Sequence, residues 1–117
     1  MVVYEFDDET ADRVFHALSN ATRRDSLRRS GEAELSVSEL AAAYDMSFAA
    51  VQKHVAVLER AGLISKEAQG RERLVKAEAE KLLWVRQALD DLEATWRGRV
   101  DRMTGLLARD PKHREDV

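Results

Sequence analysis

The sequence predicts a mainly α fold with a small β-hairpin and a long C-terminal helix, and three observations carry that expectation. Residues 47–62, SFAAVQKHVAVLERAG, have the end signals and the apolar spacing of one short helix. Two runs of strand-compatible residues then flank the glycine-containing stretch Ala68, Gln69, Gly70 and Arg71. From Glu78 onward, large apolar residues recur every third or fourth position as far as Leu107.

Composition sets the outer bounds. A chain of 117 residues with 44% hydrophobic content has material for one modest core, so residues 1–110 are read as a single domain and 111–117 as a disordered tail after Pro111. There is no cysteine, which rules out a disulfide scaffold and thiolate metal ligands. No apolar run approaches the ~18 residues of a membrane span, and no signal-peptide pattern opens the chain, so a cytoplasmic location is expected. A nucleophile elbow, a phosphate-cradling glycine loop and a dense carboxylate and histidine cluster are all missing, so the chain is not read as an enzyme and no cofactor is expected.

The net charge of −3 is unevenly spread. Residues 1–12 carry −5, 13–30 carry +4, 31–46 carry −4, 47–76 carry +3 and 77–117 carry −1. Positive charge thus collects in the second predicted helix and in residues 47–76, where a polyanion would be met.

In chain order, Asp7, Asp8 and Glu9 suit the positive end of a helix dipole, and Ala11, Val14, Phe15 and Leu18 give that helix an apolar face. His16 beside this face is read as exposed or structural. Ser19 or Asn20 caps a second helix that runs through Arg23 and Arg24 to Ser30, with Gly31 expected to stop it. Leu27 is almost its only large apolar residue, so its core face is weak. Ser36 to Glu39 is a Ser-x-x-Glu capping box, and Leu40, Ala41, Tyr44 and Met46 follow with apolar spacing. Only Asp45 and Met46 are expected to separate this helix from the next.

In that next helix Ser47 caps the first turn and Gly62 supplies the left-handed residue that ends it. Val51, Val55 and Leu58 form the inward stripe; Phe48, Ala49, Gln52, Lys53 and Ala56 lie outward. Two short helices joined by a tight turn, the second with a groove-sized polar face, make the helix-turn-helix pattern. Leu63 to Glu67 and Glu72 to Lys76 then form a hairpin, or wing.

The segments NATRRDSL, VSELA, MSFAAVQKHVAVLERAGLI and GRERLV resemble the winged-helix core of ArsR-type bacterial repressors. The likeness covers roughly residues 11–105, and QKHVAVLERAGLI is its most specific part. It implies a winged helix-turn-helix with a dimerisation helix, and a short strand at Ala33 to Leu35 joining the wing. Departures matter too. The family usually has aliphatic residues where this chain has Ser26 and Ser30, and often a polar residue in place of Phe48. Arsenic- and cadmium-sensing members carry Cys-Val-Cys where this chain has Ser36, Val37 and Ser38, and hydroxyls are poor ligands for soft metals. A second family site uses histidine and carboxylate ligands on the last helix, yet residues 77–109 contain no histidine. No metal site is therefore expected.

The last helix is expected over Glu78 to Arg109, with Leu82, Val85, Leu89, Leu92, Trp96, Val100, Met103 and Leu107 on one stripe. Its length of about 48 Å, at ~1.5 Å per residue, exceeds what so small a domain covers. A repeat close to 3.5 residues is the seam of paired helices, most simply with a second copy of the chain. Leu82 and Leu83 are expected to pack on the winged helix. The expected dimer interface takes Val14 and Phe15 from the first helix with Leu89, Leu92, Trp96, Val100 and Met103 from the last.

The expected partner is a double-stranded DNA operator, bound by a homodimer. Ser47 and the helix N-terminus would face a phosphate, Gln52 and Lys53 would reach base edges, and Phe48 and Ala49 would touch thymine methyls. His54 is open between a phosphate contact and packing beside the helix. Arg71 and Arg73 would meet the flanking backbone or a narrowed minor groove. The rival is a winged helix used only for protein interaction or dimerisation; Lys53 and Arg71 argue against it, because such a module needs no cations aligned with a groove. An unidentified small-molecule or protein effector is compatible with the resemblance.

Overall fold

The computed structural model describes residues 7–108. The chain divides into two compact units, one ending at Leu83 and the other beginning at Trp84. The expected arrest at Pro111 and the tail at 111–117 lie outside the described residues.

The first unit opens with α1 (Asp8–Ala17), capped by the Asp7 carboxylate, which accepts the Thr10 amide at 2.7 Å. That hydrogen bond holds the Asp7 carboxyl below its ordinary range. Helix α2 (Ala21–Glu32) is capped by Asn20, whose side-chain oxygen accepts the Arg23 amide. The helix does not stop at Gly31. It continues to Glu32 and ends where Ala33 turns to an extended conformation, φ −154°. Strand β1 (Leu35–Ser36) leads directly into α3 (Val37–Ala42), and the Ser36–Glu39 capping box is complete in both directions. Helix α3 is shorter than the apolar spacing suggests, so residues 43–47 rather than Asp45 and Met46 alone separate it from α4 (Phe48–Arg60). Tyr44 and Met46 therefore sit in the turn.

After α4 come β2 (Ile64–Gln69) and β3 (Glu72–Ala77), which pair antiparallel with Gln69 opposite Glu72. Gly70, at φ 62°, makes so short a connection possible. Strand β1 pairs antiparallel with the other edge of β3, giving the order β1-β3-β2. As the central strand, β3 buries Leu74 and Val75, which alternate to opposite faces. Val14, Ala17, Leu40, Val51, Val55, Leu58 and Leu63 complete a core in which α4 is the most deeply seated helix.

Helix α5 (Ala79–Ala108) starts in the first unit, where Leu83 is 54% exposed instead of packed as expected. In the second unit Trp84 and Val85 are buried, whereas Leu89, Leu92, Trp96, Val100, Met103 and Leu107 are each at least 50% exposed. Its solvent face is tied by an Arg97–Glu93 ion pair and by Gln87 donating to Asp91 at 2.9 Å.

Candidate nucleic-acid interface

The outward face of α4 is set by how firmly its inward face is fixed. Val51 and Val55 are fully buried and Leu58 nearly so, which leaves one rotational setting for the helix. Both ends are closed. Ser47 Oγ accepts the Ala50 amide at 3.1 Å, and its own hydroxyl hydrogen remains to donate outward. At the other end the Leu63 amide donates to the Leu58 carbonyl and the Gly62 amide to the Glu59 carbonyl, the paired bonds of a left-handed helix stop. Gly62 has φ 75°, and a Cβ there would stand 2.8 Å from Lys81 Cε. Exposed on this helix are Phe48, Ala49, Gln52, Lys53, Glu59 and Arg60, with His54 half-buried and Ala56, expected outward, half-buried as well.

The wing adds Arg71 and Arg73, both exposed on its outer part. Most other cations of this unit are engaged. Lys66 pairs with Glu59 of α4 at 3.5 Å, and Lys76 pairs with Glu67 across the hairpin, which raises the Lys76 ammonium above its ordinary range. Arg28 and Arg29 both bind Asp25, and Arg24 donates to the Leu18 carbonyl at 2.8 Å. By contrast Lys53, Arg60, Arg71 and Arg73 make no ion pair among the described residues. Each arginine of residues 13–30 thus has a partner within the chain, while α4 and the wing hold cations without an ion pair.

Two polar clusters hold α4 and the turn before it, and neither was expected from the sequence. In the first, Arg23 is only 8% exposed. Its Nε donates to the Ala17 carbonyl at 2.8 Å and its Nη2 to the His16 carbonyl at 3.0 Å, while Nη1 lies 3.2 Å from His54 Nδ1. A guanidinium thus caps α1 and touches α4 at once. In the second, the Tyr44 hydroxyl donates to Asp25 at 2.6 Å and accepts from Ser26 at 3.1 Å, and the Arg29 guanidinium lies 5.7 Å from the Tyr44 ring centroid. Hydrogen bonds from Tyr44, Arg29 and Arg28 hold the Asp25 carboxyl far below its ordinary range. Burial, and then the hydrogen bond to Asp25, push the Tyr44 phenol up.

A signal for both clusters was present. Arg23, Ser26, Leu27 and Ser30 share one helical face, so a face needed for the core is polar and requires hydrogen-bond partners. Ser30 finds the Ser26 carbonyl at 2.8 Å, and no buried side-chain nitrogen or oxygen among the described residues lacks a partner.

Of the residues read as a dimer surface, Val14 is fully buried within its own chain and Phe15 is 38% exposed; the α5 residues are the widely exposed ones. Among the described residues no group of three or more His, Cys, Asp or Glu is placed to hold a metal ion. Ser36, at the position of a family thiolate, is 1% exposed and its hydroxyl is taken up by the capping box. No described helix is long and apolar enough to cross a membrane.

A family model described as a helix-turn-helix domain matches residues 6–67. No curated protein sequence matches the chain. Among solved structures, the crystal structure of an ArsR family transcriptional regulator, RHA00566, is 34% identical with a TM-score of 0.72, over 83% of this chain and 97% of that one. An ArsR-like transcriptional regulator from Rhodococcus sp. RHA1 is 31% identical with a TM-score of 0.72, over 84% of this chain and 92% of that one. The homodimeric winged helix-turn-helix DNA-binding domain of a possible ArsR-family regulator from Mycobacterium bovis is 20% identical with a TM-score of 0.61, over 77% and 91%, a likeness of fold alone.

Proposed function

Because the chain belongs to the ArsR family of winged helix-turn-helix transcriptional regulators, we propose that it is a homodimeric repressor of a roughly palindromic operator, without a metal-sensing site. One observation carries this reading. The outward face of α4 and the wing hold exposed cations that make no ion pair among the described residues, Lys53, Arg71 and Arg73 together with Arg60 at the end of α4, along with the exposed amide of Gln52.

Each residue then has a task set by its chemistry. Ser47 and the α4 N-terminus meet a phosphate, where free N–H groups and the helix dipole favour an anion. Gln52 pairs its donor and acceptor with adenine, and Lys53 donates to guanine. Phe48 and Ala49 cover thymine methyls, an apolar contact that accounts for a 46% exposed phenylalanine at the first turn. Arg71 and Arg73 neutralise the flanking backbone.

The α5 stripe supports dimerisation. An apolar row of Leu89, Leu92, Trp96, Val100 and Met103 exposed to water is a patch that association removes, and the simplest partner is the same row of a second copy. Phe15 on α1 joins this list of interface residues, with Val14 beneath it in the core. Absent thiolates at Ser36 and Ser38 support a regulator answering to something other than a soft metal. The protein acts in the cytoplasm on this reading, with no cofactor and no catalysis.

Selection of bound duplexes from a random pool tests it. The expected product is an inverted repeat whose half-sites lie about one helical turn apart, or a multiple of it. Failure to enrich any sequence would favour a winged helix that serves protein interaction alone.

A further inference from the structure

We propose that Arg23 is a positioning residue that fixes the neutral tautomer of His54, so that the recognition helix presents an Nε2–H donor to a DNA phosphate. The final step rests on the DNA-binding reading above; the ring assignment does not.

A guanidinium carries five N–H donors in a rigid plane and accepts nothing. In Arg23 two of those directions are fixed by α1, through Nε to the Ala17 carbonyl at 2.8 Å and Nη2 to the His16 carbonyl at 3.0 Å. Both carbonyls lie in the last turn of α1, where the ladder leaves acceptors over and a cation is favoured. With Arg23 8% exposed, the plane has little room to swing, and Nη1 is left facing His54 Nδ1 at 3.2 Å. A donor facing Nδ1 requires a lone pair there. In a neutral imidazole the single hydrogen must then sit on Nε2.

The position of Nε2 follows by elimination. Every buried side-chain nitrogen or oxygen among the described residues has a partner, and Nε2 has none among those residues, so it reaches solvent. His54 follows Gln52 and Lys53 on α4 and flanks the inward stripe of Val51, Val55 and Leu58, which places it at the rim of the outward face. A single neutral donor at such a rim suits a phosphate oxygen, not the paired pattern of a base edge. The chain thus couples the α1 end to the interface through one side chain.

Long-range proton–nitrogen spectra of the DNA-free protein, at a pH well above the ordinary histidine range, read the ring directly. The expected result is a single Nε2–H tautomer for His54, with the exposed His16 as an internal control showing the mixture of an unconstrained ring. An Nδ1–H ring at His54 would overturn the proposal. In a folded Arg23→Met protein the His54 ring should relax to a mixture like that of His16; an unchanged single tautomer would show that Arg23 is not the cause. If that variant fails to fold, the wild-type spectrum and the His54 variants still decide. The Gln amide nitrogen can take the place of Nε2, whereas the Asn amide stands nearer Nδ1. His54→Asn should therefore weaken operator binding about tenfold, the loss of one hydrogen bond to a charged group, and His54→Gln clearly less. Equal losses in both variants would remove the phosphate contact from the account. A protein that bound no duplex at all would sink the proposed function, while the spectrum, recorded without DNA, would still stand or fall by itself.

Discussion

Helices α4 and α5 both carry a regular apolar stripe, and they differ in what covers it. Val51, Val55 and Leu58 of α4 are at most 1% exposed, whereas Leu89, Leu92, Trp96, Val100 and Met103 of α5 are 51–64% exposed. A covered stripe fixes a helix, so the opposite side is free to be small, polar and cationic. On the proposed reading an uncovered stripe is itself the interaction surface. The same periodicity therefore signals two kinds of function, and burial separates them.

The largest effect should come from opening the covered stripe. Leu58→Ala removes a side chain packed beneath the left-handed stop of α4, and about 2–5 kcal/mol of stability should be lost in urea unfolding. A loss under about 1 kcal/mol would mean that α4 is not the anchor of the first unit. Replacing Leu92 and Trp96 together by glutamate and glutamine addresses the other stripe. Sedimentation should then show monomer where the wild type is a dimer, and the concentration dependence of the melting temperature should disappear. An unchanged dimer would place the interface elsewhere.

A pH prediction follows from Asp25, which supports α4 indirectly through Tyr44 in the preceding turn. Its folded carboxyl is held below the unfolded value by Tyr44, Arg29 and Arg28, so the unfolded chain takes up protons first on acidification. The stabilisation is present above the unfolded value, about 3.9, and is lost as pH falls below it toward the lower folded value. Asp25→Asn should flatten this acid limb, and a variant with the same limb as wild type would remove Asp25 as its source. The smallest effect is a gain. Gly31 lies inside α2 with nothing within 4 Å of where a Cβ would stand, so Gly31→Ala should raise stability by up to about 1 kcal/mol.

What the sequence revealed was local. The bounds of α4, its cap at Ser47, its stop at Gly62 and the Ser36–Glu39 box rest on residues a few positions apart, and all appear as expected. The end of α2 did not, because a glycine permits a stop without compelling one, and Gly31 stays helical. Helix α3 also ends early, since Tyr44 is drawn into the turn by Asp25 and Ser26, which are remote in sequence. Arg23 was read as one more cation of a basic segment. Its partners are backbone carbonyls of another helix and a ring thirty-one positions away, and no local pattern encodes such an arrangement.

On the proposed reading the uncovered side of α4 reads bases while the wing supplies charge, and Gln52 and Arg71 divide those roles. Anisotropy titrations of both alanine variants against operator and scrambled duplexes, across a salt series, test it most directly. Arg71→Ala should weaken both duplexes by similar factors and make the salt slope shallower by about one unit, the mark of a single lost phosphate contact. Gln52→Ala should leave the slope nearly unchanged and weaken the operator alone, by about 1–3 kcal/mol. An equal loss on operator and scrambled DNA for Gln52→Ala would contradict the claim that α4 reads sequence through that residue.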